Sequence, residues 1–524
     1  VCFAWLYTNL LLTPSFQVDP MPFNDWVQRF DVARRLRLVA ARARLDHKSI
    51  ASVSRKLYSA FIKREFAINR VPTPRLIQGV PDDVQVIIGP WLAALQSHLV
   101  TAWCGNPCYH QPGMLLPSLL GLPRMRVTVY HAAGHTPAEL GAWFREKWDE
   151  RGWHYMFMGD DSIVIVNYTT IAGSHERVII LQDFIKFDAS KRDSIKFMIY
   201  RYMCRFQPPE RVAEMLCLND FVVEGRTKHN GRYKVEGTQA SGDNSTMVDN
   251  MMTNKAVSLF THHFVGLGYL ERLPLEGEFV IDHLDRPFNV DVAMDPSERS
   301  KDNNYNGTRT WVEAVTALSG DLGMPVEITL HHAQDMTAAM AACDFCSGLF
   351  YPVADSEGHG LTIHAPMIGR LIAKLCWTRN DHRPHNLAWL RGTCLATQHQ
   401  AGFLPVVRAI IHKVLELTAS LECSPRSADL VRIFRERVFR ERLFSRYDAH
   451  RFSMNGDTWF MLMLRYGVSE AEFLDMEATI LSVERLPCVV ESQLLLDIIA
   501  RDCPLEQSDI IDVEGQTERV HWVT

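Results

Sequence analysis

Between Tyr155 and Val166 the apolar run YMFM stops at GDDS and resumes as IVIV. Two strand-forming stretches joined through a glycine and two aspartates predict a tight β-hairpin. Such a hairpin holds the carboxylates of Asp160 and Asp161 together at its tip. The run RVIILQDFIKFD that follows is β-rich and ends at Asp188, which predicts a third acidic group at the end of an adjacent strand. Further on, SGDNSTMVDNMMTNKAVSLF reads as a glycine-containing loop that leads into a helix.

Carboxylates are hard oxygen donors suited to magnesium. Phosphoryl transfer between a 3′-hydroxyl and a nucleoside triphosphate uses two divalent ions about 4 Å apart, one activating the hydroxyl and one stabilising the departing pyrophosphate. Asp160, Asp161 and Asp188 are a sufficient protein set, because magnesium keeps several waters and takes the rest of its shell from phosphate. A GDD alone is equally an ordinary polar turn. SGDNSTMVDN is more specific: Ser241 and Gly242 fall in the loop, while Thr246 and Asn250, four apart, share a helix face. A hydroxyl and an amide presented together suit a ribose, whose 2′-OH separates RNA from DNA precursors; an N-capped helix with Ser241 or Asp243 as the cap is the plainer alternative. Asp183 lies five residues before Asp188 and Asp193 five after. An odd offset along a strand sends side chains to opposite faces, so Asp188 is expected to bind metal, Asp183 to face away, and Asp193 to join Asn250 at the ribose.

A chain of 524 residues exceeds one hydrophobic core, and two to four packed subdomains are expected. Its 47% apolar and 22% charged content is that of a soluble globular protein. No apolar run approaches the eighteen or so residues of a bilayer span, and the opening VCFAWLYTNLLLTP is too short and lacks the basic flank of a signal peptide. An integral membrane segment is therefore not expected. Twelve cysteines without a paired CxxC framework predict reduced thiols, and the isolated CDFC at Cys343 to Cys346 predicts a buried structural role before a zinc site. The net charge of -6 hides a basic run from Arg34 to Arg75 that contains only Asp46 and Glu65 as acids. That run is either a positive field for phosphates or a solvated helix face. Helical periodicity covers residues 25 to 65, VPTPRLIQGVP is extended, and helical patterns such as LPVVRAIIHKVLELT and ADLVRIFRERVFRERLF dominate after Asn386.

Together the motifs resemble those of viral RNA-dependent RNA polymerases. FDASKRD resembles palm motif A, GTQASGDNSTMVDN motif B and MGDDSIV motif C, while CDFCSGLFYPV resembles motif E, the grip on the primer strand. KREFAINRVPTPRLIQ is similar to the fingers motif F, which implies that Lys63, Arg64 and Arg75 hold the triphosphate. Motif C here precedes motif A, an order similar to that of permutotetraviruses and birnaviruses; GDD, where birnaviruses carry ADN, favours the former. The wording of A, B and F is similar to tombusviruses and nodaviruses. Permutation is tolerable because strand adjacency does not prescribe chain order. The family's motif D lysine has no counterpart between Asp302 and Ala373, so His331 in LGMPVEITLHH, or His332 beside it, is the expected general acid.

The resemblance implies an α+β right-hand polymerase fold with permuted palm connectivity. Residues 1–110 would form the N-terminal region and fingers, 111–385 the palm with a fingers insertion around 195–236, and 386–524 a helical thumb. It further implies two Mg²⁺ or Mn²⁺ ions, and RNA template, nascent strand and ribonucleoside triphosphates as partners, with viral co-factors left unnamed. The implied location is a replication complex in the host cytoplasm, or the virion. A reverse transcriptase is the nearest rival, disfavoured by GDD and by Asp193 with Asn250; an inactive RNA-binding scaffold is the rival from another class.

Overall fold

The computed structural model describes residues 17–30, 32–45, 50–54, 57–62, 76–103, 127–169, 175–220, 222–227, 230–242, 245–270, 288–289, 308–309, 311–333, 335–375, 386–422 and 452–503. The protein is α+β and divides into two compact units. Val1–Phe61, Leu76–His135 and Glu146–Gln334 make the first; Ile62–Arg75, Thr136–Arg145 and Asp335–Thr524 make the second. The segment resembling motif E, residues 343–353, falls in the second unit.

In chain order the strands of the first unit are β1 (Tyr58–Ile62), β2 (Leu76–Gly79), β3 (Val127–His131), β4 (Gly152–Met158), β5 (Asp161–Thr169), β6 (His175–Phe184), β7 (Val222–Thr227), β8 (Arg232–Glu236), the two-residue β9 (Phe288–Asn289) and β10 (Thr308–Arg309), and β11 (Val326–His332). The main sheet has the order β11-β6-β5-β4-β3, antiparallel except between β3 and β4. On one face Tyr155, Phe157, Val164, Val166, Val178 and Ile180 join a core that includes Val248, Met251 and Met252 of the helix Thr246–Leu270. Met156, Ile163, Ile165 and Ile179 alternate with them and are equally buried. A sheet covered on both faces accounts for strands that read as continuous apolar runs.

The expected hairpin forms from β4 and β5. Met158 pairs with Asp161, which leaves Gly159 and Asp160 as a two-residue turn. Gly159 has φ +67 and Asp160 does not leave the negative region, the pattern of a II′ turn that a glycine at the first position supplies without strain. A second sheet has the order β2-β1-β7-β8.

The arginines of the helix Val32–Leu45 meet the start of the helix Asp82–Ala102. Arg44 lies 3.3 Å from buried Asp83, Arg37 lies 3.7 Å from Asp82, and Arg34 donates to Gln85 at 2.7 Å. Carboxylates in a first helical turn already face favourable backbone dipoles, and the arginines balance their charge. Three arginines of the basic run are thus tied to this helix start, while Arg35 donates to the Phe30 carbonyl and Arg42 lies over the Phe23 ring. Asp82–Ala102 is the one helix among the described residues long and apolar enough to cross a bilayer, and more than half of its most apolar window is inside the protein. Trp91, fully buried, donates its indole N–H to the Val18 carbonyl at 3.0 Å, as befits a core helix.

In the second unit β12 (Gly348–Ala354) and β13 (Gly360–Pro366) form an antiparallel hairpin. Asp502, buried, accepts from the Gly369 amide at 2.8 Å, Arg465 at 2.9 Å and Tyr466 at 2.8 Å, which ties together the helices Ile368–Leu375, Gly456–Tyr466 and Gln493–Asp502. Helices Met336–Ala342, Asn386–Ala401, Val407–Leu417 and Glu470–Leu481 also lie in its described part, while ADLVRIFRERVFRERLF lies outside the described residues. Cysteines 204, 217, 343, 488 and 503 are free thiols; Cys343 is fully buried, which pushes its thiol well above the usual range and makes it inert.

Candidate active site

The acidic end of the main sheet is set by strand register. Ser162 of β5 faces Gln182 of β6, so the same register carries Asp161 and Asp183 side by side on one face. Asp183 is exposed, and Asp160 and Asp161 are half-buried. The Asp160 carboxylate makes no hydrogen bond or ion pair among the described residues. The sequence expectation that Asp183 faces away rested on one strand running to Asp188. That strand ends at Phe184: Lys186 adopts a left-handed φ of 52, and Asp188 sits in the short helix Phe187–Ser190. Once the chain leaves the strand, the odd-offset rule no longer relates the two acids.

Asp188 is half-buried and held on two sides. Its carbonyl accepts from the Gln239 amide at 3.0 Å, and its carboxylate accepts from Asn250 Nδ2 at 3.0 Å. The Asn250 carbonyl oxygen in turn accepts from Lys191 Nζ at 2.6 Å. Lys191 is 0% exposed, with Phe187 beneath its ammonium at 5.2 Å. Neighbouring Asp249 is also buried and takes the Ser245 hydroxyl at 2.7 Å. Burial raises its carboxyl above the usual range, against the pull of Lys191, Ser245 and Lys196. Asp193, the expected partner of Asn250, instead begins the helix Asp193–Cys204, is exposed, and packs against Gly237. The Asn250 amide thus joins Asp188 to Lys191.

The loop before Asn250 is shaped by its own named residues. Ser241 donates to the Leu76 carbonyl at 3.0 Å, and Thr246 donates to the Ala240 carbonyl at 2.9 Å. Gly242 bridges to Gly79 so closely that a Cβ would stand 2.3 Å from the Gln78 carbonyl oxygen. Only glycine fits that backbone approach. Lys63, Arg64 and Arg75 lie outside the described residues.

His331 does not reach this end of the sheet. It pairs with Ile179, whereas Glu327 pairs with Asp183, so four residues of strand, about 13 Å, separate it from that acid. His332, opposite Val178, is farther still. This register lends the general-acid expectation for His331 no support. Among the described residues no three His, Cys, Asp or Glu side chains are grouped closely enough to hold a metal ion, so Asp160, Asp161 and Asp188 do not form a ready-made ligand set.

Lys191 and Asp249 were not legible as site residues, because a lysine in KRD and an aspartate in VDN look like solvated charge until distant segments bury them. No protein-family model matches the chain, and no curated protein matches it. Function is therefore read from the geometry of the site.

Proposed function

We propose that this chain is an RNA-directed RNA polymerase whose palm motifs occur in permuted order. The hydrogen bond between Asn250 and Asp188 carries the reading. It joins the segment resembling motif B to the segment resembling motif A, at the sheet end where β5 begins with the second aspartate of the segment resembling motif C. An isolated polar turn and an N-capped helix, each explained by local structure, give no reason for that meeting.

Mg²⁺ or Mn²⁺ suits oxygen donors of this kind, and because such ions take most of their shell from water and phosphate, the carboxylates need not be clustered beforehand. Asp160 and Asp161 are the residues that would hold the ions. Register favours Asp183 as the third carboxylate, whereas Asp188, already bonded to Asn250, is better placed as the acid that reads the ribose. When bound, two such ions lower the pKa of the attacking 3′-hydroxyl and neutralise the triphosphate. Asn250 and Asp188 present an amide and a carboxylate to a 2′-hydroxyl, and the buried Lys191 fixes which way that amide faces.

The test is primer extension with ribo- and deoxyribonucleotides. Asn250→Ala removes one polar partner of the 2′-hydroxyl, worth about 1–3 kcal/mol, and should narrow sugar preference by roughly five- to hundredfold. Asp183→Asn should abolish addition of both sugars, and Asp188→Asn should retain addition with altered sugar choice. The reverse pattern restores Asp188 as the metal ligand. Preference for deoxyribonucleotides in the unaltered protein would favour a reverse transcriptase.

A further inference from the structure

The helix Thr246–Leu270 carries polar residues at every fourth position after Thr246: Asn250, Asn254, Ser258 and His262. All four are buried. Asn250 serves Asp188, whereas the next three form a continuous line of hydrogen bonds that ends on the acidic hairpin. Asn254 Nδ2 donates toward three successive carbonyls, those of Gly159 at 3.3 Å, Asp160 at 2.9 Å and Asp161 at 3.2 Å. Its Oδ1 accepts from Ser258 Oγ at 2.9 Å, and Ser258 Oγ accepts from Gln182 Nε2 of β6 at 2.6 Å. Gln182 Oε1 meets His262 Nε2 at 2.9 Å, and His262 Nδ1 meets the Tyr155 hydroxyl of β4 at 3.2 Å.

The direction of the line follows from its end. Carbonyl oxygens only accept, so Asn254 must turn its amide hydrogens to the turn and its oxygen to Ser258. The same logic runs back to a His262 with its proton on Nε2, and every link is then satisfied. A buried polar array is costly unless complete, and this one spans β4, β5, β6 and the helix that bears Asn250.

We infer that Asn254 is a positioning residue for the turn that carries Asp160 and Asp161. Holding three successive carbonyls fixes the peptide planes between them, and with those planes the direction in which the two carboxylates leave the backbone. The catalytic consequence rests on the polymerase reading; the mechanical one does not. A II′ turn between two strands closes without a clamp, so packing of the sheet alone does not call for an amide here.

The full chain is compared with Asn254→Asp, which sets a carboxylate against the carbonyls, and with Asn254→Ser, which removes the amide but keeps a small polar group should the first variant fail to fold. Hydrogen exchange read by mass spectrometry on peptides covering 152–168 and 175–184 is the first measurement. Exchange of the hairpin peptide should rise about tenfold, with the β6 peptide unchanged, because the opening is local. The second is steady-state primer extension against ribonucleotide and Mg²⁺ concentration. The kcat should fall about a hundredfold, as misplacement of reacting groups does, with KM for the ribonucleotide nearly constant and the half-saturating Mg²⁺ raised. Unchanged hairpin exchange in the variants that fold overturns the clamp. Faster exchange with an unaltered kcat and Mg²⁺ response overturns its positioning role. A wild-type protein that makes no RNA overturns the polymerase reading, and exchange still decides the clamp.

Discussion

Two long helices run through the first unit; both pack apolar side chains into its core, and they differ in the polar groups they bury. Asp82–Ala102 gives the core Val84, Ile88, Trp91, Leu92, Leu95 and Leu99, and its buried Asp83 and Gln85 stand in the first turn, where arginines meet them. Thr246–Leu270 buries Asn250, Thr253, Asn254, Lys255, Ser258 and His262 along its length. Apolar packing tolerates exchange among side chains of like volume, but a buried polar side chain keeps its place only when its partners are placed too. Both helices contribute apolar packing, and the second also contributes direction at the acidic end of the sheet.

That division is open to attack by mutation. Trp91→Ala should cost about 3–5 kcal/mol of unfolding free energy, by cavity formation and loss of its bond to Val18. Urea titration measures it, and the molecules that remain folded should keep their activity. Ser258→Ala should cost less, about 1–3 kcal/mol, because it leaves the Gln182 amide and the Asn254 oxygen short of a partner. Unlike Trp91→Ala, it should also slow nucleotide addition in the folded protein. Equal losses of activity per folded molecule would erase the contrast between the helices.

A smaller effect comes with pH. Burial pushes the imidazole of His131 well below its usual range, with Lys255 adding to the shift from 3.3 Å away, and burial likewise lowers His364 in the second unit. Both stay neutral in the folded protein while the unfolded chain takes up protons below about pH 6.5. Above that pH they have no effect; as pH falls from there toward their folded values, stability declines. The urea midpoint should therefore fall below about pH 6.5, with a shallower fall in His131→Asn. The smallest effect belongs to His331→Gln. A general acid typically contributes about a hundredfold or more, so a rate unchanged within about twofold is what its distance from the acids requires, and a large loss would mean that the register misleads.

What was legible in the sequence follows from what is local. The hairpin was, because YMFM, GDDS and IVIV state strand, turn and strand within a dozen residues. The loop before Asn250 was too, since a serine and glycine ahead of a helix have few other uses. The end of β6 was not: QDFIKFD keeps strand composition to its last residue, and only the left-handed Lys186 turns Asp188 off the strand. The place of His331 was not legible for a related reason, because proximity in a sheet depends on register and a sequence shows only spacing. The polar residues four apart after Thr246 were visible, but the same spacing marks a solvated face, and their burial comes from strands nearly a hundred residues away in the chain.

The most direct measurement is template-directed extension of an RNA primer by the full chain with ribonucleoside triphosphates and Mg²⁺ or Mn²⁺, set beside Asp160→Asn. The account predicts metal-dependent addition of the nucleotide complementary to the template, reduced to background in Asp160→Asn while that variant unfolds at the same urea concentration as the parent. No extension with either metal, or extension that survives in Asp160→Asn, would contradict it.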